Sequence, residues 1–94
     1  MVPARAAKFG AFHSPDFWAL FDSFPPEIQK LARENYELLK DNPRHPSLRF
    51  KKAGGYWSVR IGRNYRALGK QLEEGILWGW IGSHEEYERI LGNQ

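Results

Sequence analysis

The sequence predicts an α+β fold: an N-terminal helical hairpin packed on one face of an antiparallel β-sheet, followed by a short C-terminal helix. Three observations predict it. Apolar residues recur at helical spacing up to Pro43, the apolar period switches to two from Pro46 onward, and a capping signature at Ser83 opens a last helical stripe. Helices followed by a run of strands define this class, whereas alternation of the two would give a parallel α/β sheet. Ninety-four residues make one domain, 1–94, near the size where a single core suffices. A hydrophobic content of 41% and an aromatic content of 15% can fill that core with large side chains, which argues against disorder.

The elements follow in order. Ala6 to His13 reads as a short leading strand. Ser14-Pro15-Asp16 then starts a helix: Ser14 caps, Pro15 suits the first helical position, and Asp16 complements the helix dipole. Phe17, Leu20, Phe21 and Phe24 form its apolar stripe. Pro25-Pro26 breaks this helix and opens a second one. Its buried stripe is Ile28, Leu31, Ala32, Tyr36 and Leu39, with Lys30, Arg33, Glu34 and Glu37 on the opposite face. Asp41-Asn42-Pro43 ends it, because a residue before proline is pushed out of the α region.

Strands come next. Leu48 and Phe50 alternate with Arg49 and Lys51, and Gly54-Gly55 makes a turn. Trp57, Val59 and Ile61 alternate with Tyr56, Ser58 and Arg60. After a Gly62-Arg63-Asn64 turn, Tyr65 and Ala67 alternate with Arg66 and Leu68. Ile76 to Ile81 is almost wholly apolar, as a strand covered on both faces would be. Ser83-His84-Glu85-Glu86 fits a capping box, Tyr87, Ile90 and Leu91 form the apolar face of the last helix, and Gly92 ends it. Trp18, Trp57, Trp78 and Trp80 recur at core spacing and read as packing residues.

This layout decides where chemistry can occur. With the helical hairpin on the Trp57/Val59/Ile61 face, the opposite face carries Ser58, Arg60 and Arg66. A three-residue turn sets Arg60 directly across from Arg66, whereas a two-residue turn would mismatch the two apolar sets. Like charges directly opposite one another destabilise a sheet, so the pair makes sense when an anion lies between them. Guanidinium forks suit phosphate. Arg49, Lys51 and Lys52 extend the basic surface, although each taken singly reads equally as a solvated side chain.

His84 and Tyr87 share one face of the last helix, beside the arginines. The arginines and the helix N-terminus both oppose an imidazolium at His84, which favours a neutral ring that can accept a proton. Tyr87 has two readings, as part of the Ile90/Leu91 core stripe and as a phenol in the site. A titratable imidazole and a phenol next to an anion site would make it a site of RNA cleavage. His13 and His45 read as structural or solvated, and Glu85 and Glu86 as helix N-terminal charges.

Composition limits the alternatives. A formal charge of +3 and a pI near 9.4 favour a polyanionic partner. With no cysteine there is neither a disulfide framework nor a Cys nucleophile, three scattered histidines give no metal site, and no cofactor is called for. No apolar run reaches transmembrane length, and Met1 to Phe12 lacks the apolar core of a secretory signal, so a cytoplasmic protein with no membrane partner is expected.

The strings His45-Pro46-Ser47-Leu48-Arg49-Phe50-Lys51, Trp57-Ser58-Val59-Arg60-Ile61, Tyr65-Arg66-Ala67-Leu68-Gly69 and Trp80-Ile81-Gly82-Ser83-His84-Glu85-Glu86-Tyr87, in this order, resemble the RelE/ParE superfamily of bacterial type II toxins, in its small RelE-like branch. Phe17-Trp18 and the segment from Pro26 to Pro43 fit the same branch. The resemblance implies two helices on an antiparallel sheet and a cognate antitoxin that neutralises the toxin. It also implies one of two targets. RelE-type members cleave mRNA in the ribosomal A site, and ParE-type members bind and poison DNA gyrase. By position, Arg66 matches the arginine that RelE-type nucleases set against the scissile phosphate. Ser58 and Arg60 fall where RelE itself has two lysines, so one basic group is missing here, and Arg49, Lys51 or Lys52 would compensate on the RNA backbone. His84 and Tyr87 fall near a C-terminal histidine or basic position and its accompanying tyrosine. The resemblance thus implies a metal-independent endoribonuclease with Arg60, Arg66, His84 and Tyr87 as catalytic residues.

Overall fold

A computed structural model of the protein describes residues 11–92. The leading strand is β1 (Ala11–His13), and the part of the expected strand before Ala11 lies outside the described residues. Helices α1 (Pro15–Asp22) and α2 (Pro26–Asp41) follow, then a 3-10 turn (Pro46–Leu48). Strands β2 (Lys51–Ala53), β3 (Tyr56–Ile61), β4 (Tyr65–Gln71) and β5 (Ile76–Ser83) lead into helix α3 (His84–Gly92). The sheet order is β1-β5-β4-β3-β2. Strands β2 to β5 form the antiparallel meander the alternation predicted. Strand β1 adds parallel to β5 at the edge and makes the sheet mixed.

The helical hairpin begins as its sequence dictates. Ser14 Oγ accepts from the Phe17 N–H at 3.2 Å, and the Ser14 N–H donates to the Trp78 carbonyl at 3.0 Å, which ties the cap to β5. The Gln29 side-chain amide donates to the carbonyls of Phe21 and Phe24 and locks the α1–α2 joint. Phe17 and Phe21 of α1 and Ala32 and Leu39 of α2 meet Val59, Ile61, Ala67, Trp78 and Ile81 from the sheet in one buried core. This is the face assigned to the hairpin by the alternation of β3. Leu31 packs so close to the β3–β4 turn that a Cβ at Gly62 would lie 2.5 Å from its Cδ2. Gly62 also has φ +63°, so both space and backbone conformation require glycine there.

Two details depart from simple alternation. Leu48 and Phe50 were expected on a strand with Arg49 and Lys51. Instead Pro46 and the His45 ring favour a turn: His45 Nδ1 accepts from the Ser47 N–H at 3.2 Å and lies 2.8 Å from its hydroxyl. Leu48 is fully buried in that turn, Arg49 is left-handed at φ 45°, and the strand proper is only Lys51–Ala53. In β5 the register shifts between Leu68 and Gly69, which pair with Trp80 and Trp78 and leave Gly79 as the extra residue. The bulge sends Trp78, 2% exposed, into the helix-covered core and Trp80 to the opposite face. Strand β5 lies between β1 and β4, inside the sheet as its apolar run implied. Helix α3 packs across the second face against β4 and β5.

Candidate functional site

The register of β3 and β4 sets the site. Ile61 pairs with Tyr65 across the three-residue turn, which brings Arg60 and Arg66 directly opposite one another. Their partners on the same face are Ser58 and Leu68, also directly paired. Lys51 of β2 pairs with Ser58 and faces the same way. Lys52 pairs with Trp57 and faces the other way, with its ammonium 5.4 Å from the Trp57 ring centre. The expectation that Lys52 joins the basic surface is therefore corrected: in a strand of period two, adjacent lysines cannot share a face.

Helix α3 closes one side. Its cap is the capping box read in the sequence: the Glu86 N–H donates to Ser83 Oγ at 3.2 Å, and the Ser83 hydroxyl and N–H reach back to the Glu86 carboxylate at 3.3 and 3.5 Å. The His84 N–H donates to the Asn64 carbonyl at 2.8 Å, so the β3–β4 turn holds the start of the helix. Arg49, Lys51, Ala53, Ser58, Arg60, Arg66, His84, Tyr87, Glu88 and Leu91 together line a concavity of about 320 Å³. All the residues singled out for the site except Lys52 are in this set.

The two arginines at the centre of the concavity are held by backbone carbonyls. Arg60 Nε donates to the Gly62 carbonyl at 2.8 Å, and Arg66 donates to the carbonyls of Tyr65 and Arg63 at 2.8 and 3.3 Å. The Arg66 guanidinium lies 5.8 Å from the centre of the Tyr87 ring. Burial first, and the facing Arg60 second, push the Arg66 pKa below the ordinary arginine value, with Arg49 acting in the same direction and Tyr87 and Glu88 against it. No carboxylate lies within ion-pair distance of either arginine among the described residues, while the guanidinium charges add over the concavity.

Tyr87 is 6% exposed, and its hydroxyl accepts from Ser58 Oγ at 2.9 Å. Tyr87 is thus buried, as its core reading expected, and it also lines the concavity. Ser58, at 3% exposure, is committed to this bond, which replaces the surface RNA contact assigned to it. The His84 ring stacks on Tyr87 with centroids 6.0 Å apart and 25° between planes, and its Nε2 lies 3.3 Å from Glu88 Oε2. Glu88 was missed in the sequence, although its position four residues after His84 is the signal for a same-face pair. His13 is buried at 6% among Phe17, Trp18 and Tyr36, and His45 caps the 3-10 turn. Both are structural, as expected. Among the described residues no three His, Asp or Glu side chains converge as a metal site, and no helix is long and apolar enough to cross a membrane.

The arrangement can grip a tetrahedral anion between paired guanidinium groups, with an imidazole and a phenol on the adjacent wall. Residues 26–89 match the family model described as the ParE-like toxin domain. The fold resembles the crystal structure of the RelB–RelE antitoxin–toxin complex from Methanococcus jannaschii, with a TM-score of 0.62 and 18% identity over 83% of this chain and 95% of that one. It also resembles YafQ from E. coli strain BL21(DE3), with a TM-score of 0.59 and 13% identity over 85% of this chain and 98% of that one. No curated protein matches the sequence.

Proposed function

This chain belongs to the ParE-like toxin domain family, within the RelE/ParE superfamily of toxins, and from that premise we propose that it is a ribosome-dependent, metal-independent mRNA endoribonuclease of a type II toxin–antitoxin system. The observation that carries this reading is the facing pair of Arg60 and Arg66 in a concavity that also holds His84 and Tyr87. A ribose 2′-oxygen attacks the adjacent phosphorus, His84 takes the 2′-hydroxyl proton, and the bond from phosphorus to the 5′-oxygen breaks. The products are a cyclic phosphate and a 5′-hydroxyl end. Arg60 and Arg66 stabilise the charge on the pentavalent phosphate, and Tyr87, anchored by Ser58, orients the phosphate or donates to the departing oxygen. Arg49 and Lys51 contact the RNA backbone on either side. Because the arginines supply the charge stabilisation, the step needs no metal ion or cofactor.

The second reading is a non-catalytic ParE-like toxin that binds DNA gyrase, favoured by the family description itself. A pure binder has no use for a proton-transfer group beside paired arginines, so the composition of the concavity supports cleavage. The two are separated by adding the protein to a translation extract and, in parallel, to a gyrase supercoiling assay. Cleavage within codons of the translated mRNA with unaffected supercoiling is expected. Inhibited supercoiling with intact mRNA would establish the second reading instead.

A partner follows from the same surface. RelE was crystallised with its antitoxin RelB, and this chain, working in the cytoplasm, would likewise be neutralised by a cognate antitoxin. An acidic, partly disordered segment covering Arg49, Lys51, Arg60 and Arg66 would occlude the phosphate site. Because such a segment must be ordered on binding, a wide interface is expected.

A further inference from the structure

We propose that Arg49 and Lys51 build a second anion subsite, which holds the substrate phosphate next to the one between Arg60 and Arg66. This rests on the RNA reading above and makes its substrate a strand with two consecutive phosphates in the concavity. The first sign is in the backbone. Arg49 is the one non-glycine residue with positive φ among the described residues, at φ 45° and ψ 43°. A Cβ is unfavourable in this left-handed region, so glycine or asparagine is the residue such a position favours. Its neighbours leave Arg49 little choice. Leu48 is fully buried on one side, and on the other the Phe50 ring stacks on Trp57 at 4.7 Å and 17°. Between these two anchors the sequence keeps an arginine where the backbone suits a glycine, and we infer that it is kept for its charge.

Position gives that charge its use. Lys51 of β2 pairs antiparallel with Ser58 of β3, so counting two residues back brings position 49 level with Arg60, although β2 itself begins only at Lys51. Arg60 pairs in turn with Arg66, so three arginines stand at one level of the sheet, with Lys51 one step along. All four cations line the concavity, and Arg49 helps to lower the Arg66 pKa, so its charge is felt at the pair. Their donors differ in state. Arg60 and Arg66 are tied to backbone carbonyls, whereas the side chains of Arg49 and Lys51 make no hydrogen bond or ion pair among the described residues. The charge balance agrees. Glu88 is the one carboxylate among the lining residues, set against four cations. A phosphodiester carries a single negative charge, so one bound phosphate leaves cations in excess and a second is attracted.

In the test, the full chain is titrated with a short single-stranded 2′-O-methyl RNA over a salt series, and binding is read by fluorescence anisotropy. This RNA lacks the attacking hydroxyl, so it is bound without being cut. Denaturant unfolding is measured on the same proteins. Arg49→Gly should unfold at a higher denaturant concentration than wild type, because glycine relieves the left-handed residue, yet bind RNAs of every sequence more weakly. Arg49→Lys keeps both the charge and the strain and should match the wild type in unfolding and in salt dependence. Arg49→Gly/Lys51→Gln should lose about 0.7 from the slope of log affinity against log salt, the share of one phosphate on a single strand. An unaltered slope in the double variant, an Arg49→Gly protein less stable than wild type, or a wild type that does not bind the RNA would each overturn the proposal. Cleavage of mRNA in a translation extract separates the two readings. Cutting by the wild type with an unaltered slope removes the subsite alone. A slope loss without any cutting removes the cleavage reading and leaves the subsite standing.

Discussion

Arg60 and Arg66 face one another across a strand pair, and the cost of that arrangement is the clearest residue-scale sign of a ligand. The lowered Arg66 pKa fixes the sign of its effect on stability. A cation whose folded pKa lies below its unfolded value costs stability at every pH below the folded one, and the cost vanishes only above the ordinary arginine range. The penalty is therefore constant across about pH 5 to 9, and this residue gives no pH dependence there. Arg66→Gln should then be neutral to stabilising by up to about 1 kcal/mol in denaturant unfolding. Phosphate or sulfate should raise the melting temperature of the wild type more than that of Arg66→Gln. A loss of stability in Arg66→Gln, with an unaltered response to anions, would remove the argument for an anion between the arginines. Ser58→Ala strands the buried Tyr87 hydroxyl and should cost about 1–3 kcal/mol, measured the same way. In growth assays Arg66→Ala and His84→Ala should each relieve arrest while remaining folded, and full toxicity of both would contradict the site.

At the scale of elements, the sequence was legible wherever one local rule acted alone. The Ser14 cap, the Pro25-Pro26 break, the Ser83/Glu86 capping box and the Arg60–Arg66 register follow from spacing and from residue types at helix ends. What was not legible depended on residues distant in the chain or on competing local bonds. The β5 bulge is invisible to alternation because Trp78, Gly79 and Trp80 read as one continuous apolar run. The turn at Pro46–Leu48 replaced a strand because the His45 ring offers the backbone a nearer partner than the sheet does. Ser58 could not be read as buried, since the Tyr87 that covers it lies 29 residues away. Two substitutions test these local accounts by equilibrium unfolding. Leu48→Ala should cost about 2–5 kcal/mol, because the turn buries it completely. Gly62→Ala should cost about 1 kcal/mol or more, from its positive φ and the Leu31 contact together. A neutral Leu48→Ala would mean that the turn is not the anchor for β2.

For the whole molecule, two faces of one sheet divide the work. The helical hairpin seals one face with an aromatic-rich core, which frees the other to hold charges around α3. An antitoxin that neutralises the toxin by covering this charged face should bind with an affinity that falls as salt rises. Charge reversal at Arg49 and Lys51 should weaken it further, and co-purification in a salt series with the product of the neighbouring reading frame would measure both. Indifference to salt and to charge reversal would place the antitoxin elsewhere. The central claim is that the arginine concavity cuts a phosphodiester, and the most direct measurement is the chemistry of the RNA ends made in a translation extract by wild type and by Arg66→Ala. The account predicts 5′-hydroxyl and cyclic phosphate ends with the wild type, formed about 10²–10³ times more slowly with Arg66→Ala. Ends bearing a 5′-phosphate, or equal cleavage by the two proteins, would contradict it.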